Sequence, residues 1–384
     1  MYLSRLLEKA LDRAKKTFPA LVVCGPRQSG KSTLLANYVK TTARSFVSLD
    51  NPELRRLALA DPMHFLAGLD RPVVLDEIQY APELTTYIKL LIDRDRSPGQ
   101  FFITGSQQFS VMKNVSESLA GRAAVFSLPP FCIRERRDVA EIADFLLHSS
   151  YPEPATNLLV DREIWYASYL QTYVERDVRQ LLQVTDLRDF EQFIRLLAAR
   201  TGQELKMSHL AGELGISVPT VKRWLSVLEA SYIVFLLPPF FRNFGKRLVK
   251  SPKVYFYDIG LVNHLVGIRD FNLLVNGPMA GAIFETAVIS EIMKIRLAEG
   301  IRPALFFWRS QSGIEIDLIE QQGPHYLPYE IKLAATIKPA FYKNLEAWLK
   351  LSGQGAEVKG RLITNCVDKL PMPPHVENIH WSEL

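Results

Sequence analysis

Residues Gly25 to Ser32 read GPRQSGKS, which has the residue types and spacing of a phosphate-binding loop. Its glycines let backbone N–H groups close around phosphate oxygens, and the helix that follows adds the positive end of its dipole. The flanking stretches, ALVVC before the loop and TLLANYV after it, predict a buried strand and a helix. We therefore expect ATP to bind at Gly25, Pro26, Arg27, Gln28, Ser29, Gly30, Lys31, Ser32 and Thr33.

Two further strand ends carry polar groups that ATP hydrolysis needs. Lys31 would contact the β- and γ-phosphates, and Ser32 would give its hydroxyl to Mg²⁺. The stretch RPVVLDEIQ is an apolar strand that ends in Asp76, a second magnesium ligand, and Glu77, which would polarise the attacking water. The stretch GQFFITGSQQ ends another strand, where Ser106 could sense the γ-phosphate. Alternating strands and helices over residues 20–130 predict a parallel sheet with the nucleotide at the carboxyl ends of its strands.

A second set of acidic residues lies in IDLIEQQGPHYLPYEIK, residues 316–332. Two alternating strands flank the turn residues QQGP, which predicts a hairpin with Leu318 opposite Tyr329. On the other face, Asp317 would lie opposite Glu330, and like charges facing each other across a ladder are destabilising. Alternatively, the two carboxylates splay apart at a sheet edge.

Composition narrows the class of protein. The 384 residues, with 48% hydrophobic and 23% charged, predict a soluble protein with two or three cores. Three cysteines without a CxxC pair argue against a disulfide framework and a zinc knuckle. The N-terminal MYLSRLLEKALDRAKK is an amphipathic helix rather than a signal peptide, and YIVFLLPPFF is too short to span a bilayer. We expect a cytoplasmic protein without a membrane partner.

The basic residues concentrate in one window. Residues 203–253 hold eight Lys and Arg against three Asp and Glu, although the whole chain carries only +5. The window contains MSHLAGELGISVPTVKRWLSVLEASYIVFLL, which predicts a helix, a turn at Gly215, a second helix capped by Ser217, and a strand. We expect DNA contacts from the second helix and from a basic wing behind it: Thr220, Lys222, Arg223, Arg242, Lys246, Arg247 and Lys250. Such modules also serve as protein–protein contacts, and a chance charge surplus is the plainer alternative.

The chain from Gly25 through the strand after Gly121–Arg122 resembles an AAA+ ATPase. The resemblance implies a helical lid over residues 131–202, with Arg176 as a second sensor. The alternative for Arg176 is a solvated charge network, of which an E-R-D run at helical spacing is more often part. It also implies an arginine finger at Arg122 that acts on a neighbouring subunit, and therefore a homo-oligomer such as a hexameric ring. An ion pair within the subunit is the simpler role for Arg122.

Residues 281–366 read helix, three strands, helix, strand, which resembles the core of PD-(D/E)XK nucleases. Those enzymes need an acid from the first helix, an Asp, and E-x-K on the next strand. By this resemblance the metal ligands are Glu285, Asp317 and Glu330, with Mg²⁺ or Mn²⁺ as the metal, and Lys332 would help to place the attacking water. A cross-strand ion pair between Glu315 and Lys332 is the structural alternative.

These observations predict an α/β protein of four parts: an AAA+ P-loop ATPase core (residues 1–130), a helical lid (131–202), a winged helix-turn-helix (203–253) and a PD-(D/E)XK nuclease-like domain (254–384). The function that they indicate is ATP-dependent processing of DNA, with cleavage of branched forms such as Holliday junctions. The alternative is an ATP-gated switch that binds DNA or protein, in which the nuclease-like domain is structural.

Overall fold

The computed structural model describes residues 2–39, 45–105, 118–136, 139–173, 187–240, 251–310, 313–353, 357–368 and 371–384. By their internal contacts, the residues divide into two compact units. The first unit consists of residues 1–131, 230–232 and 295–301, and the second of residues 132–229, 233–294 and 302–384. The finer division of the chain into four parts stays a prediction.

The first unit contains a parallel five-stranded sheet in the order β2-β3-β4-β1-β5. Its strands are β1 (Ala20–Cys24), β2 (Phe46–Ser48), β3 (Val73–Asp76), β4 (Phe101–Gly105) and β5 (Ala123–Ser127). The inner strands β1, β3 and β4 are buried along their whole length, as parallel strands covered on both faces must be. Strand β4 lies between β1 and β3, so the ends of these three strands meet at one edge of the sheet.

Helices cover both faces of this sheet. They are α1 (Leu7–Ala14), α2 (Lys31–Val39), α3 (Pro52–Ala60), α4 (Pro62–Ala67) and α5 (Leu84–Arg94). The predicted N-terminal amphipathic helix is confirmed, because α1 buries Leu7, Ala10, Leu11 and Ala14 in one core with α2. The other face packs against α3, α4 and α5 in a second core.

The second unit begins with helices and a short two-stranded sheet. The helices are α6 (Ile142–Leu147), α7 (Pro152–Thr156), α8 (Arg162–Tyr173), α9 (Leu187–Ala198), α10 (Met207–Leu214), α11 (Val218–Ala230), α12 (Ile259–Val266) and α13 (Phe271–Val275). Strands β6 (Val234–Leu237) and β7 (Lys253–Phe256) pair antiparallel, with Leu237 opposite Lys253. No helix in the described ranges has the length and apolar character to cross a membrane.

The remaining elements are a five-stranded mixed sheet in the order β12-β11-β10-β9-β8 and two helices, the first of which ends in residues 295–298 that group with the first unit. They are α14 (Ala280–Ala298), β8 (Leu305–Arg309), β9 (Glu315–Gln322), β10 (His325–Lys332), α15 (Lys343–Ser352), β11 (Gly360–Thr364) and β12 (Val376–His380). The predicted order of helix, three strands, helix and strand is thus present, and β12 extends the sheet beyond it. Just before α15, Pro339–Phe341 forms a separate 3-10 turn.

Candidate functional sites

The phosphate-binding loop joins β1 to α2, as the sequence predicts. Gln28 and Gly30 have φ angles of 60° and 88°, a left-handed region that a Gln adopts only under constraint. Gly25 is required for a different reason than phosphate binding: a Cβ at this position would lie 2.2 Å from the Leu128 carbonyl oxygen. The glycine therefore allows the loop to pass close to the segment after β5.

Lys31 is the buried cation of this loop. Its Nζ donates to the carbonyl oxygens of Gly25 (3.1 Å) and Pro26 (2.7 Å). Burial lowers the pKa of Lys31, although the nearby acidic groups Glu77 and Asp76 act in the opposite direction. An ammonium held by two neutral carbonyls and stripped of water gains strongly from an arriving phosphate, so its position fits the predicted role.

Asp76 is the centre of the hydrogen bonds at the sheet edge. Its Oδ1 accepts from the hydroxyls of Ser32 (2.7 Å) and Thr104 (2.6 Å), and its Oδ2 accepts from Ser48 (3.3 Å). These donors come from α2, β4 and β2, which the strand order brings together around β3. A hydroxyl and a carboxylate oxygen in contact are hard oxygen ligands of the kind that Mg²⁺ prefers, so Ser32 and Asp76 fit the predicted magnesium site.

Glu77 adopts a left-handed conformation, with φ 56° and ψ 50°, directly after β3. Its backbone N–H donates to the Thr104 hydroxyl at 3.0 Å, and its carboxylate accepts a hydrogen bond from the Gln79 amide. A non-glycine residue with positive φ at a strand end is a strained feature typical of active sites. The role of Glu77 in activating water stays a prediction.

Arg5 is a residue at this loop that no sequence pattern indicates. Its guanidinium donates to the carbonyl oxygens of Ser29 (2.9 Å) and Pro129 (2.8 Å) and lies 4.6 Å from the centre of the Phe131 ring. Arg5 is 4% exposed. It therefore ties the phosphate-binding loop to the segment after β5.

Arg122 pairs with Asp93 of the same chain. Its Nε donates to Asp93 Oδ1 at 2.7 Å and a terminal nitrogen donates to Oδ2 at 3.0 Å, a two-point contact of guanidinium with carboxylate. The Arg122 hydrogen bonds lower the pKa of Asp93. The ion pair within the subunit is thus formed, and the arginine-finger role stays a prediction that requires Arg122 to leave Asp93.

Several predicted site residues lie outside the described part of the chain. They are Ser106, Arg176, Arg242, Lys246, Arg247 and Lys250.

The predicted helix–turn–helix elements are present as α10 and α11, with Gly215 at φ 66° between them. Lys222 and Arg223 are exposed on α11, as a DNA-contacting surface requires. Thr220 is half-buried, and its hydroxyl and its backbone N–H both contact the Ser217 hydroxyl, at 2.8 Å and 3.2 Å. The identification of these elements with a winged helix stays a prediction.

The acidic hairpin has the register that the sequence predicts. Leu318 pairs with Tyr329 in the antiparallel ladder of β9 and β10, and continuing this register sets Asp317 opposite Glu330. Both carboxylates are buried, at 7% and 1% exposure. Asp317 does not splay outward, because its Oδ2 accepts from the Ile331 backbone N–H at 2.8 Å.

Glu285, Glu315, Asp317 and Glu330 form an acidic cluster, and two lysines compensate its negative charge. Lys332 Nζ donates to Asp317 Oδ2 (3.0 Å) and Glu330 Oε2 (2.7 Å). Lys253, from β7, contacts Glu315 Oε1 at 2.6 Å and Glu285 Oε1 at 3.2 Å. The alternative pairing of Glu315 with Lys332 is therefore not formed. The structure thus brings together the four residues of the predicted nuclease motif, which are Glu285, Asp317, Glu330 and Lys332. Lys253 and Glu315 belong to the same cluster.

The acidic groups differ in their proton affinity. Burial, and then the charge of Asp317, raises the pKa of Glu330 to about 8 and that of Glu285 to about 7. Burial would also raise the pKa of Asp317, but the charges of Lys332 and Lys253 outweigh it and hold this pKa below its ordinary value. Asp317 is thus the carboxylate that stays ionised, while two neighbours hold protons readily.

The cluster fits a divalent metal in its chemistry but is not assembled around one. Its ligands are carboxylate oxygens, and Glu330 Oε1 is buried without a hydrogen-bond partner among the described residues. However, the described ranges contain no group of three or more His, Cys, Asp or Glu side chains arranged to hold a metal ion. Lysines occupy the oxygens that a metal would need, so metal binding requires these contacts to change.

The raised pKa of Glu330 predicts how stability depends on pH. The folded state binds this proton more tightly than the unfolded state, whose pKa is near 4.5. The stabilisation is therefore complete below about pH 4.5 and is lost as pH rises through about 8. As the pH rises from 5 to 9, we expect the free energy of unfolding to fall less in Glu330→Gln than in wild type. The measurement is urea denaturation without metal at each pH. The exposed Glu357→Gln is the control, and parallel pH profiles for wild type and Glu330→Gln would contradict this assignment.

Known proteins and family descriptions match most of the chain. An AAA domain matches residues 17–136, a domain of unknown function (DUF8612) matches 139–272, and another (DUF4143) matches 280–383. Among solved structures, the Walker-type ATPase PABY2304 of Pyrococcus abyssi is 15% identical with a TM-score of 0.44, covering 67% of this chain and 94% of its own. Protein VC1899 from Vibrio cholerae is 11% identical with a TM-score of 0.21, covering 95% and 94%. Both scores are too low to support an argument.

Two curated relatives are more informative. The uncharacterized proteins Rv2008c of Mycobacterium tuberculosis and Mb2031c of Mycobacterium bovis are each 32% identical over 344 residues, which cover 89% of this chain and 75% of theirs. This similarity shows that the chain belongs to the family of these mycobacterial proteins, and its own AAA-domain match, with the parallel sheet that carries the phosphate-binding loop, makes it an AAA-type ATPase with a C-terminal DUF4143 domain.

Proposed function

We propose that this ATPase acts on DNA and that its acidic hairpin cleaves the DNA backbone with the help of a divalent metal. The observation that supports this proposal is the buried pair of opposed carboxylates, Asp317 and Glu330, with Lys332 two residues beyond Glu330. Burying two facing carboxylates costs free energy even with Lys332 beside them, and acidic groups perturbed in this way are concentrated at functional sites. The D, E-x-K arrangement matches the needs of phosphodiester hydrolysis.

ATP turnover follows from the groups at the edge of the parallel sheet. Lys31 would exchange its contacts with Gly25 and Pro26 for the β- and γ-phosphates. Ser32 and Asp76 would hold Mg²⁺, which neutralises charge on the phosphate oxygens when bound. Glu77 would take a proton from the attacking water as its oxygen bonds to the γ-phosphorus and the bond to the bridging oxygen breaks, releasing ADP and phosphate.

DNA cleavage would use the acidic groups in distinct roles. Glu285, Asp317 and Glu330 would hold Mg²⁺ or Mn²⁺, which lowers the pKa of a bound water. Lys332 would stabilise the negative charge that develops as the water oxygen bonds to phosphorus and the bond to a sugar oxygen breaks. The attacking water loses a proton to solvent and the departing sugar oxygen takes one up from solvent, so the products are a phosphomonoester and a hydroxyl. Branched DNA such as a Holliday junction is the substrate that we favour for a chain that combines an ATPase with this site.

The remaining parts of the proposal concern DNA binding and assembly. Exposed Lys222 and Arg223 on α11 would contact DNA phosphates. Arg122 would leave Asp93 to reach the nucleotide of a neighbouring subunit in a homo-oligomer, for which a hexameric ring is one form.

The alternative function is an ATP-gated switch that binds DNA or protein. It is favoured by one observation: Lys253 and Lys332 already compensate the acidic cluster without metal.

Two variants separate the roles at the phosphate-binding loop. Lys31→Ala should weaken ATP binding, because the ammonium holds the phosphates. Glu77→Gln should bind ATP normally but turn it over about 10²–10⁴-fold more slowly, because only the proton acceptor is lost. Binding is measured with a fluorescent ATP analogue, turnover by phosphate release, and the exposed Glu53→Gln is the control. Equal binding defects in both variants would contradict the assigned roles.

Cleavage should depend on metal and on Asp317. Wild-type protein is incubated with linear, forked and four-way DNA, with and without ATP, in Mg²⁺, Mn²⁺ or chelator. We expect metal-dependent cleavage that Asp317→Asn abolishes while its ATP turnover remains, because the two sites use different residues. The exposed Asp368→Asn should cleave normally. If wild type cuts none of these DNA forms, the switch becomes the better description of the protein.

The affinity for DNA and its dependence on salt should both reflect the positive charges of Lys222 and Arg223 on α11. The double variant Lys222→Ala/Arg223→Ala should bind DNA more weakly, and the slope of log K against log salt should fall by about 0.9 for each phosphate that is no longer neutralised. The double variant Lys9→Ala/Lys16→Ala, which removes two exposed lysines in and near α1, is the charge-matched control. An unchanged slope would place the DNA contact elsewhere and favour a protein-binding role for α10 and α11.

A further inference from the structure

Lys253 is a lysine within the acidic cluster that comes from outside the hairpin and outside the DUF4143 match. It is the first residue of β7, its side chain is 6% exposed, and its Nζ contacts both Glu285 and Glu315. Burial alone would lower the pKa of Lys253, but the charges of Glu285, Asp317 and Glu315 outweigh burial and raise it. The ammonium is thus ion-paired with two carboxylates of the cluster, at 3.2 Å from Glu285 and 2.6 Å from Glu315.

The position of Lys253 is fixed by its strand. Leu237 pairs with Lys253 across the β6–β7 ladder, and Glu204 forms a bridge to it on the other side. Tyr255 points the same way as Lys253, because residues two apart in a strand share a face, and its hydroxyl donates to the same Glu285 Oε1 at 2.5 Å. Strand β7 thus presents two donors to one carboxylate oxygen.

Lys332 and Lys253 differ in how easily they can withdraw. The Lys332 side chain is 36% exposed, so its ammonium can shift off the carboxylate oxygens and remain beside the site when a cation arrives. The Lys253 side chain lies over the Phe307 ring, 5.5 Å from its centre, and is enclosed by β7 and its neighbours. A divalent cation bound to Glu285 and Asp317 would therefore lie close to the Lys253 ammonium, which is 3.2 Å from Glu285 and cannot readily leave. Two positive charges that lie close together repel strongly in a poorly hydrated site.

We propose that Lys253 is a built-in competitor of the divalent metal, which holds Glu285 and Glu315 in an ion-paired state and keeps metal affinity low. This inference rests on the metal site of the proposed function and extends it, since it identifies the residue that sets metal affinity. Lys253 is a regulating residue here, and it contacts neither water nor phosphate in the reaction.

The test measures Mn²⁺ binding to the full chain by isothermal titration calorimetry, supported by the shift of melting temperature with Mn²⁺. Lys253→Met removes the charge and keeps the length of the side chain, and we expect it to bind Mn²⁺ at least about tenfold more tightly than wild type. Lys253→Arg keeps the charge and should bind like wild type. Asp317→Asn in the Lys253→Met background should lose the added affinity, which places the metal at this cluster.

The outcomes separate this inference from the proposed function. Equal Mn²⁺ affinity in wild type and Lys253→Met overturns the inference and leaves the metal site standing. Absence of Mn²⁺ binding in both proteins overturns the inference together with the metal site. Should Lys253→Met fail to fold, Lys253→Gln keeps a hydrogen-bond donor for Glu285 and Glu315 without the charge, and the same comparison with wild type decides the question.

Discussion

Asp317 is a buried carboxylate with a second carboxylate opposite it, and burying such a pair requires cations within reach. The second unit supplies them from two strands. Lys332 comes from the hairpin itself, and Lys253 comes from β7, which follows the two helices α10 and α11 in the chain. Because its compensation comes from both places, the acidic cluster constrains how β7 packs beside β9 and α14. An isolated hairpin would keep Lys332 but lose Lys253, so burying its carboxylates in the same register would cost more free energy.

The two carboxylate sites of the protein are compensated in different ways. Asp76 in the first unit accepts hydrogen bonds from three hydroxyls, those of Ser32, Ser48 and Thr104. Hydroxyls stabilise a carboxylate but leave its negative charge in place, so a divalent cation can add its full attraction. At Asp317 an ammonium has already cancelled much of that charge. The first arrangement fits the magnesium site that we propose there, whereas the proposed metal at the second would have to displace ammonium contacts.

Sequence alone predicts those features that depend on neighbours in the chain. The hairpin register follows from the turn and the alternation, and the phosphate-binding loop follows from its spacing and its flanking elements. The sequence does not predict contacts between distant segments, such as those of Arg5 with Ser29, Arg122 with Asp93, and Lys253 with Glu285. In the sequence, Lys253 belongs to the basic window that predicts a nucleic-acid surface. Nothing local shows that it is buried, because its partners follow it by dozens of residues.

The pairing of Lys332 shows the limit of strand alternation as a guide. Opposition across the ladder would join Lys332 to Glu315, but the long side chain reaches the diagonal neighbour Asp317 and the adjacent Glu330 instead. Glu315 then binds Lys253. This exchange of partners bears on both the nuclease and the switch. With Lys253 in place, the acidic cluster is a self-neutralised support for the fold, as a switch protein needs. If Lys253 releases Glu285, the same residues present three carboxylates to a metal. The low metal affinity that we propose and the structural alternative therefore have the same physical origin, the ion pairs that Lys253 forms with Glu285 and Glu315.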